Sequence, residues 1–183
     1  MYTGKKDGAS EVGLGGSVVT RLSRDLVGKS HHLFMDNFFT SVSLYRNLLN
    51  DGIYATGTAL AQRRNFPQAL VSVAKRGLPS RGDTASRQDG NLSVTVWQDT
   101  RPVVIMSTAH DLSCTRPVAR RKADGSAINV ECPIATIDYN KYMGGVDRGD
   151  QFRKYNIVMM KSRKCYNYIF WFLFEVCVLN TFF

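Results

Sequence analysis

The stretch His31-His32-Leu33-Phe34-Met35-Asp36-Asn37-Phe38-Phe39-Thr40-Ser41 decides how this chain folds. A short apolar run closed by a lone carboxylate reads as a strand from His31 to Met35, with Asp36 at the strand end. Thr40 or Ser41 then caps a helix with Leu44, Leu48 and Leu49 inward, and Gly52 stops it. Ile53-Tyr54-Ala55-Thr56-Gly57-Thr58-Ala59 reads as a second strand. Strand, helix and strand at this spacing predict an α/β unit.

Upstream, Gly13-Leu14-Gly15-Gly16-Ser17 precedes Val18, Val19, Leu22 and Leu26, the stripe of an amphipathic helix capped by Ser17 and ended by Gly28. The glycines lack both a Gly-Lys-Ser/Thr ending and a preceding strand, so they do not read as a phosphate loop. Downstream, Arg63 to Gly90 is expected to be rich in loops, with Pro67, Gly77, Pro79 and Gly82 inside it. Leu92, Val94 and Val96 alternate with polar residues, Gln98 to Pro102 turns, and Val103 to Ser107 returns, the pattern of a β-hairpin. A basic loop is expected around Arg116 to Lys122, and a helical pattern resumes at Pro133.

A second carboxylate has a setting as distinctive as the first. In Gly144-Gly145-Val146-Asp147-Arg148-Gly149-Asp150-Gln151 the glycines free the backbone to turn before Asp147 enters a helix. Asp150 follows one helical turn later, on the same face. Carboxylates at a strand end and a helix start, far apart in sequence, suit a metal site assembled by the fold. Hard cations such as Mg²⁺ take oxygen ligands, and phosphoryl-transfer enzymes often hold two ions through shared carboxylates.

The charge points to a partner class. The 183 residues carry a net charge of +9 and a pI near 9.6, which favours nucleic acid first and a membrane surface second. Residues 1–60 hold 6 Lys/Arg against 5 Asp/Glu, and residues 123–183 hold 7 against 6. Residues 61–122 hold 11 against 4, so most of the excess lies in the middle. Arg63, Arg64, Arg116, Arg120, Arg121 and Lys122 are the candidate phosphate contacts in that region. Cys114, Cys132, Cys165 and Cys177 have no CxxC spacing, which argues for a reducing compartment. No apolar segment of a secretory signal follows Met1-Tyr2-Thr3-Gly4-Lys5-Lys6.

These segments resemble the piggyBac family of DNA transposases and their domesticated relatives. The resemblance runs through Tyr2-Thr3-Gly4-Lys5, Leu14-Gly15, Phe34 to Ser41, Gly57-Thr58, Arg64-Asn65-Phe66-Pro67, Asp138-Tyr139-Asn140, Gly144 to Gln151 and the closing aromatic stretch. It implies an α/β fold, a partial ribonuclease-H-like catalytic core interrupted by a largely β, basic insertion subdomain. The implied divisions are 1–60 for the first part of the core, 61–131 for the insertion and 132–183 for the resumed helical core. It further implies metal-dependent cleavage and transfer of DNA strands, with Asp36 and Asp147 as the second and third of three catalytic aspartates. Asp36, Asp147 and, in support, Asp150 are the implied ligands of a two-ion Mg²⁺ site.

The family's first aspartate lies on a strand upstream of the segment matched by Tyr2-Thr3-Gly4, so this chain does not contain it, and Asp7 and Asp25 lack a strand-like context. The 183-residue chain by itself is therefore expected to be catalytically silent. A domesticated or decayed DNA-binding protein without catalysis is the alternative reading. Double-stranded DNA, in the form of transposon ends, is the implied partner, a homodimer stays open, and the expected compartment is the nucleus. An uncapped end at Phe183 adds the expectation of a fragment.

Other candidates fare worse. Tyr166 to Phe183 is strongly aromatic, but Glu175 leaves too short an apolar run for a membrane span, so a buried helix is expected. His31 and His32 are adjacent on a strand and face opposite ways, a poor arrangement for zinc. His110 and Cys114 lack companion ligands, Arg81-Gly82-Asp83 and Arg148-Gly149-Asp150 are incidental tripeptides, and no Ser-His-Asp pattern stands out.

Overall fold

The structure, a computed structural model, describes residues 14–122, 125–158 and 162–181. Tyr2 to Lys5, Asp7, Gly13 and Phe182-Phe183 lie outside them. The chain divides into two compact units at Lys141/Tyr142, the end of α4.

The first unit is a mixed α/β body. Helix α1 (Leu14–Leu22) runs into a single 3₁₀ turn at Arg24–Leu26. Strand β1 (His32–Met35), helix α2 (Val42–Asn50) and strand β2 (Tyr54–Thr58) follow, and β1 pairs with β2 in parallel, as the strand-helix-strand reading requires. Ser41 is the N-cap of α2 and accepts from the Leu44 amide at 3.3 Å. Leu44, Tyr45 and Leu48 are buried on one face, and Gly52 closes the helix at φ +70°. Next come α3 (Gln68–Arg76), β3 (Thr84–Asp89), β4 (Leu92–Gln98) and β5 (Pro102–Ser107). One five-stranded sheet results, in the order β1-β2-β5-β4-β3, antiparallel except for β1 and β2. Strands β6 (Thr115–Arg121) and β7 (Ala127–Pro133) form a separate antiparallel ladder before α4 (Ile134–Tyr142).

The main core joins Tyr45, Leu48, Ile53, Ala55, Val96 and Met106, all at 1% exposure or less, with Phe66 and Leu70 beside them. Each large aliphatic or aromatic side chain so buried contributes about 1.5–3 kcal/mol relative to exposure. A second cluster packs Trp97 on Val130 and Cys132 of β7. Burial there pushes the Cys132 thiol up to about 11, so it behaves as a packed apolar group.

Three expectations are corrected. Ser17 does not cap α1; it lies inside the helix and donates back to the Leu14 carbonyl. The segment expected to be loop contains α3, which starts after Pro67 and ends at Gly77, with Leu70, Val71, Val73 and Ala74 against the core. It also contains β3, whose polar sequence Thr-Ala-Ser-Arg-Gln-Asp is tolerated because β3 is a sheet edge with half-buried or exposed positions. The basic loop at Arg116 to Lys122 is largely strand β6, held by pairing with β7.

The second unit holds α5 (Gly145–Tyr155) and α6 (Cys165–Asn180). The aromatic segment is helical as expected, but not buried: Tyr166, Tyr168, Phe170 and Phe174 are all exposed. Glu175 is its one buried residue, receiving the Val158 amide at 3.1 Å and the Arg153 guanidinium at 3.5 Å. No helix among the described residues is long and apolar enough to cross a membrane.

Candidate functional site

Asp36 stands immediately after β1, where the chain makes a tight turn. The Asp36 carbonyl accepts from the Phe39 and Thr40 amides at 3.3 and 3.2 Å and from the Thr40 hydroxyl at 2.9 Å. Its carboxylate Oδ1 accepts from the Phe38 amide at 2.7 Å, an Asx turn. Oδ2 has no partner among the described residues, and the residue is exposed. One oxygen is thus fixed by the backbone and the other is available.

The turn is braced from beneath by missing side chains. Gly57 of β2 is in register with Met35. A Cβ there would come within 2.7 Å of the Tyr45 hydroxyl and 2.9 Å of the Thr40 hydroxyl, and closer still to the Met35 carbonyl oxygen. Gly15 of α1 does the same from another side, its Cβ position lying 3.1 Å from the Phe38 carbonyl oxygen. Thr40 and Tyr45 are fully buried, their hydroxyls 3.4 Å apart, and burial pushes the Tyr45 phenol well above its ordinary value.

Arg63 meets the same turn from above. Its Nη2 donates to the Asn37 carbonyl at 2.8 Å and to the Phe38 carbonyl at 2.7 Å, while Nε is buried without a partner among the described residues. Read from the sequence as a phosphate contact, Arg63 is half-buried and engaged with the protein; Arg64 beside it is exposed.

The remaining basic candidates separate by strand alternation. Val118 packs into the Trp97 cluster, so Arg116 and Arg120 share its face of β6 and Arg121 takes the opposite one. Arg120 lies over the Trp97 ring at 5.7 Å and reaches Asp99 Oδ2 at 3.1 Å. Arg81 binds the other Asp99 oxygen at 2.5 Å and also the Arg121 carbonyl at 3.1 Å. Arg120 is therefore part of the packing, whereas Arg116, Arg121 and Lys122 are exposed.

Asp147 occupies the first turn of α5, where a carboxylate suits the positive end of the helix dipole. Both it and Asp150 are exposed, and Asp150 lies 3.8 Å from Arg153. Asp36 belongs to the first unit, Asp147 and Asp150 to the second. Among the described residues no group of three His, Cys, Asp or Glu side chains is disposed to hold a metal. Mg²⁺ nonetheless keeps several waters and commonly takes only one or two carboxylates plus substrate phosphates. An exposed carboxylate with one fixed and one free oxygen fits that role.

A polar network missed in the sequence crosses the first unit. His110 Nε2 lies 2.8 Å from Asp138 Oδ2, and its Nδ1 lies 2.9 Å from Ser107 Oγ. Thr56 Oγ1 links Ser107 at 2.7 Å to His32 Nε2 at 2.8 Å. His110 is therefore structural, held in a Ser-His-Asp hydrogen-bonded chain that the sequence did not reveal, and no metal-ligand group forms around it among the described residues. Ser107 is 1% exposed and also accepts from the Ala109 amide, so no acyl substrate reaches it. The network ties β1, β2 and β5 to α4. Burial, reinforced by neighbouring His110, lowers the His32 pKa to about 4.

Three comparisons with known proteins bear on the fold and the family. The family model described as Transposase IS4 matches residues 2–182. PiggyBac transposable element-derived protein 3 of Homo sapiens is 31% identical over 98% of this chain, and protein 5 is 24% identical over 91%. The chain spans 31% and 32% of those two proteins. The piggyBac transposase in a cryo-EM synaptic complex with hairpin DNA superposes with a TM-score of 0.76 at 24% identity, over 99% of this chain and 36% of that one. The mixed α/β fold is thus one of a known kind, and the chain belongs to the piggyBac transposase-derived family.

Proposed function

We propose that Asp36 and Asp147 are two carboxylates of a divalent-cation site that cuts and joins DNA strands at transposon ends. The observation that carries the reading is the Asp36 turn, which fixes one carboxylate oxygen and leaves the other exposed. Asp147 would complete the site from the start of α5, with Asp150 in support. Mg²⁺ bound there would stabilise the charge that develops on the attacking and leaving oxygens. Arg116, Arg121 and Lys122 hold exposed charge suited to a phosphate backbone, and the solved relative is described with hairpin DNA. The nucleus is the compartment such a protein requires.

A second reading, DNA binding without cleavage, is favoured by the relatives' own names as transposable element-derived proteins. Duplex DNA binding at constant ionic strength, with and without Mg²⁺, separates the two. A cation site predicts tighter binding with Mg²⁺, lost in Asp36→Asn and in Asp147→Asn. Equal affinity with and without Mg²⁺ in all three proteins leaves only the non-cleaving reading.

A further inference from the structure

We propose that Arg63 is a positioning residue for the Asp36 carboxylate rather than a contact to nucleic acid. The inference rests on the reading of Asp36 as a cation ligand. Both protons of one guanidinium nitrogen are committed to the turn, one to the Asn37 carbonyl and one to the Phe38 carbonyl. These two carbonyls belong to the residues directly after Asp36, and the Phe38 amide holds Asp36 Oδ1. The Asn37 carbonyl shares its peptide plane with that amide and the Phe38 carbonyl lies in the next plane, so holding both fixes the direction of the free carboxylate oxygen.

Arg63 is itself delivered by a short anchored loop after β2. Its amide donates to the Leu60 carbonyl at 3.0 Å, its carbonyl accepts from the Phe66 amide at 3.1 Å, and Phe66 is buried in the core. The loop closes with Asn65 at φ +63°. The arginine therefore reaches the turn from a fixed base, and burial of its unpartnered Nε shows that the head group is lodged there.

The sign of a cation-binding experiment separates this role from simple charge. Removing a positive charge near a carboxylate strengthens cation binding by Coulomb's law. Removing a support that orients the ligand weakens it, typically about 10–100-fold. Mn²⁺ binding to the 183-residue chain is followed by titration, with amide hydrogen exchange read in parallel. For Arg63→Met the expected result is Mn²⁺ affinity lowered about tenfold or more, faster exchange at Phe38 and Thr40, and unchanged protection at Val96 in the sheet. Arg63→Lys, which keeps a donor of the same charge, recovers part of the affinity. Unchanged or tighter Mn²⁺ binding in Arg63→Met, while Asp36→Asn abolishes it, overturns the positioning role and leaves Asp36 as the ligand. Unchanged binding in Asp36→Asn overturns the reading of Asp36 and this role with it.

Discussion

Gly57→Ala tests the packing that builds the Asp36 turn. The new methyl group would fall within 2.7 Å of the Tyr45 hydroxyl and 2.9 Å of the Thr40 hydroxyl, and nearer still to the Met35 carbonyl. Tyr45 and Thr40 are fully buried, so neither can swing into solvent. Met35 O is backbone on the paired strand, so relief requires β1 to retreat from β2. Overpacking of a tight core costs about 1–3 kcal/mol. Loss of one or two strand hydrogen bonds adds about 1 kcal/mol each, and reduced freedom of the unfolded chain returns about 0.4–1 kcal/mol. The expected net loss is about 3 kcal/mol, which at a urea m-value of about 1.5 kcal/mol per molar moves the midpoint down by about 2 M. Trp97, buried in the first unit, reports the transition once Trp171 is replaced by Phe. Gly16→Ala is the control: nothing lies within 4 Å of its Cβ position and it sits inside α1, so it should stabilise by about 0.5–1 kcal/mol. A loss below about 0.5 kcal/mol for Gly57→Ala would refute the packing argument.

Three further outcomes are expected. His32 has its folded pKa lowered to about 4 from 6.5, so the unfolded chain binds the proton first and stability falls as pH drops from 6.5 towards 4. Half-burial scales that loss to about 1–2 kcal/mol, and urea melts across this range should show a flatter profile for His32→Gln than for the parent chain. Asp99→Ala strands the Arg81 and Arg120 guanidinium groups and should cost about 2 kcal/mol in the same assay. In duplex binding, Arg116→Ala, Arg121→Ala and Lys122→Ala should each flatten the slope of log K against log salt by about 0.9 for every phosphate left without its cation, whereas Arg120→Ala should mainly lower stability.

How much was legible follows from which forces leave a local trace. The β1-α2-β2 unit showed itself because apolar runs, the Ser41 cap and Gly52 are all signals within a few residues. The hairpin of β4 and β5 was visible through alternation, and the start of α5 through its N-cap Gly144 and Gly145. Helix α3 carried its own punctuation in Pro67 and Gly77, obscured by the surrounding turn residues. Strands β3 and β6 are polar or basic and exist only because a partner strand supplies their hydrogen bonds. The strand-end position of Asp36 was legible, but the contacts that hold its turn were not. Arg63 binds backbone carbonyls, Gly57 matters for an absent methyl group, and Arg120 is drawn inward by Asp99 from another turn. None of these relations has a signature in spacing.

The central claim is that Asp36 and Asp147 serve one cation, and paramagnetic broadening by substoichiometric Mn²⁺ in the amide spectrum of this chain tests it most directly. A shared site predicts that amides flanking Asp36 and those flanking Asp147 broaden together at the same Mn²⁺ concentration, and that Asp36→Asn abolishes both effects. Broadening at one carboxylate alone, or broadening around Asp147 that survives Asp36→Asn, would contradict it.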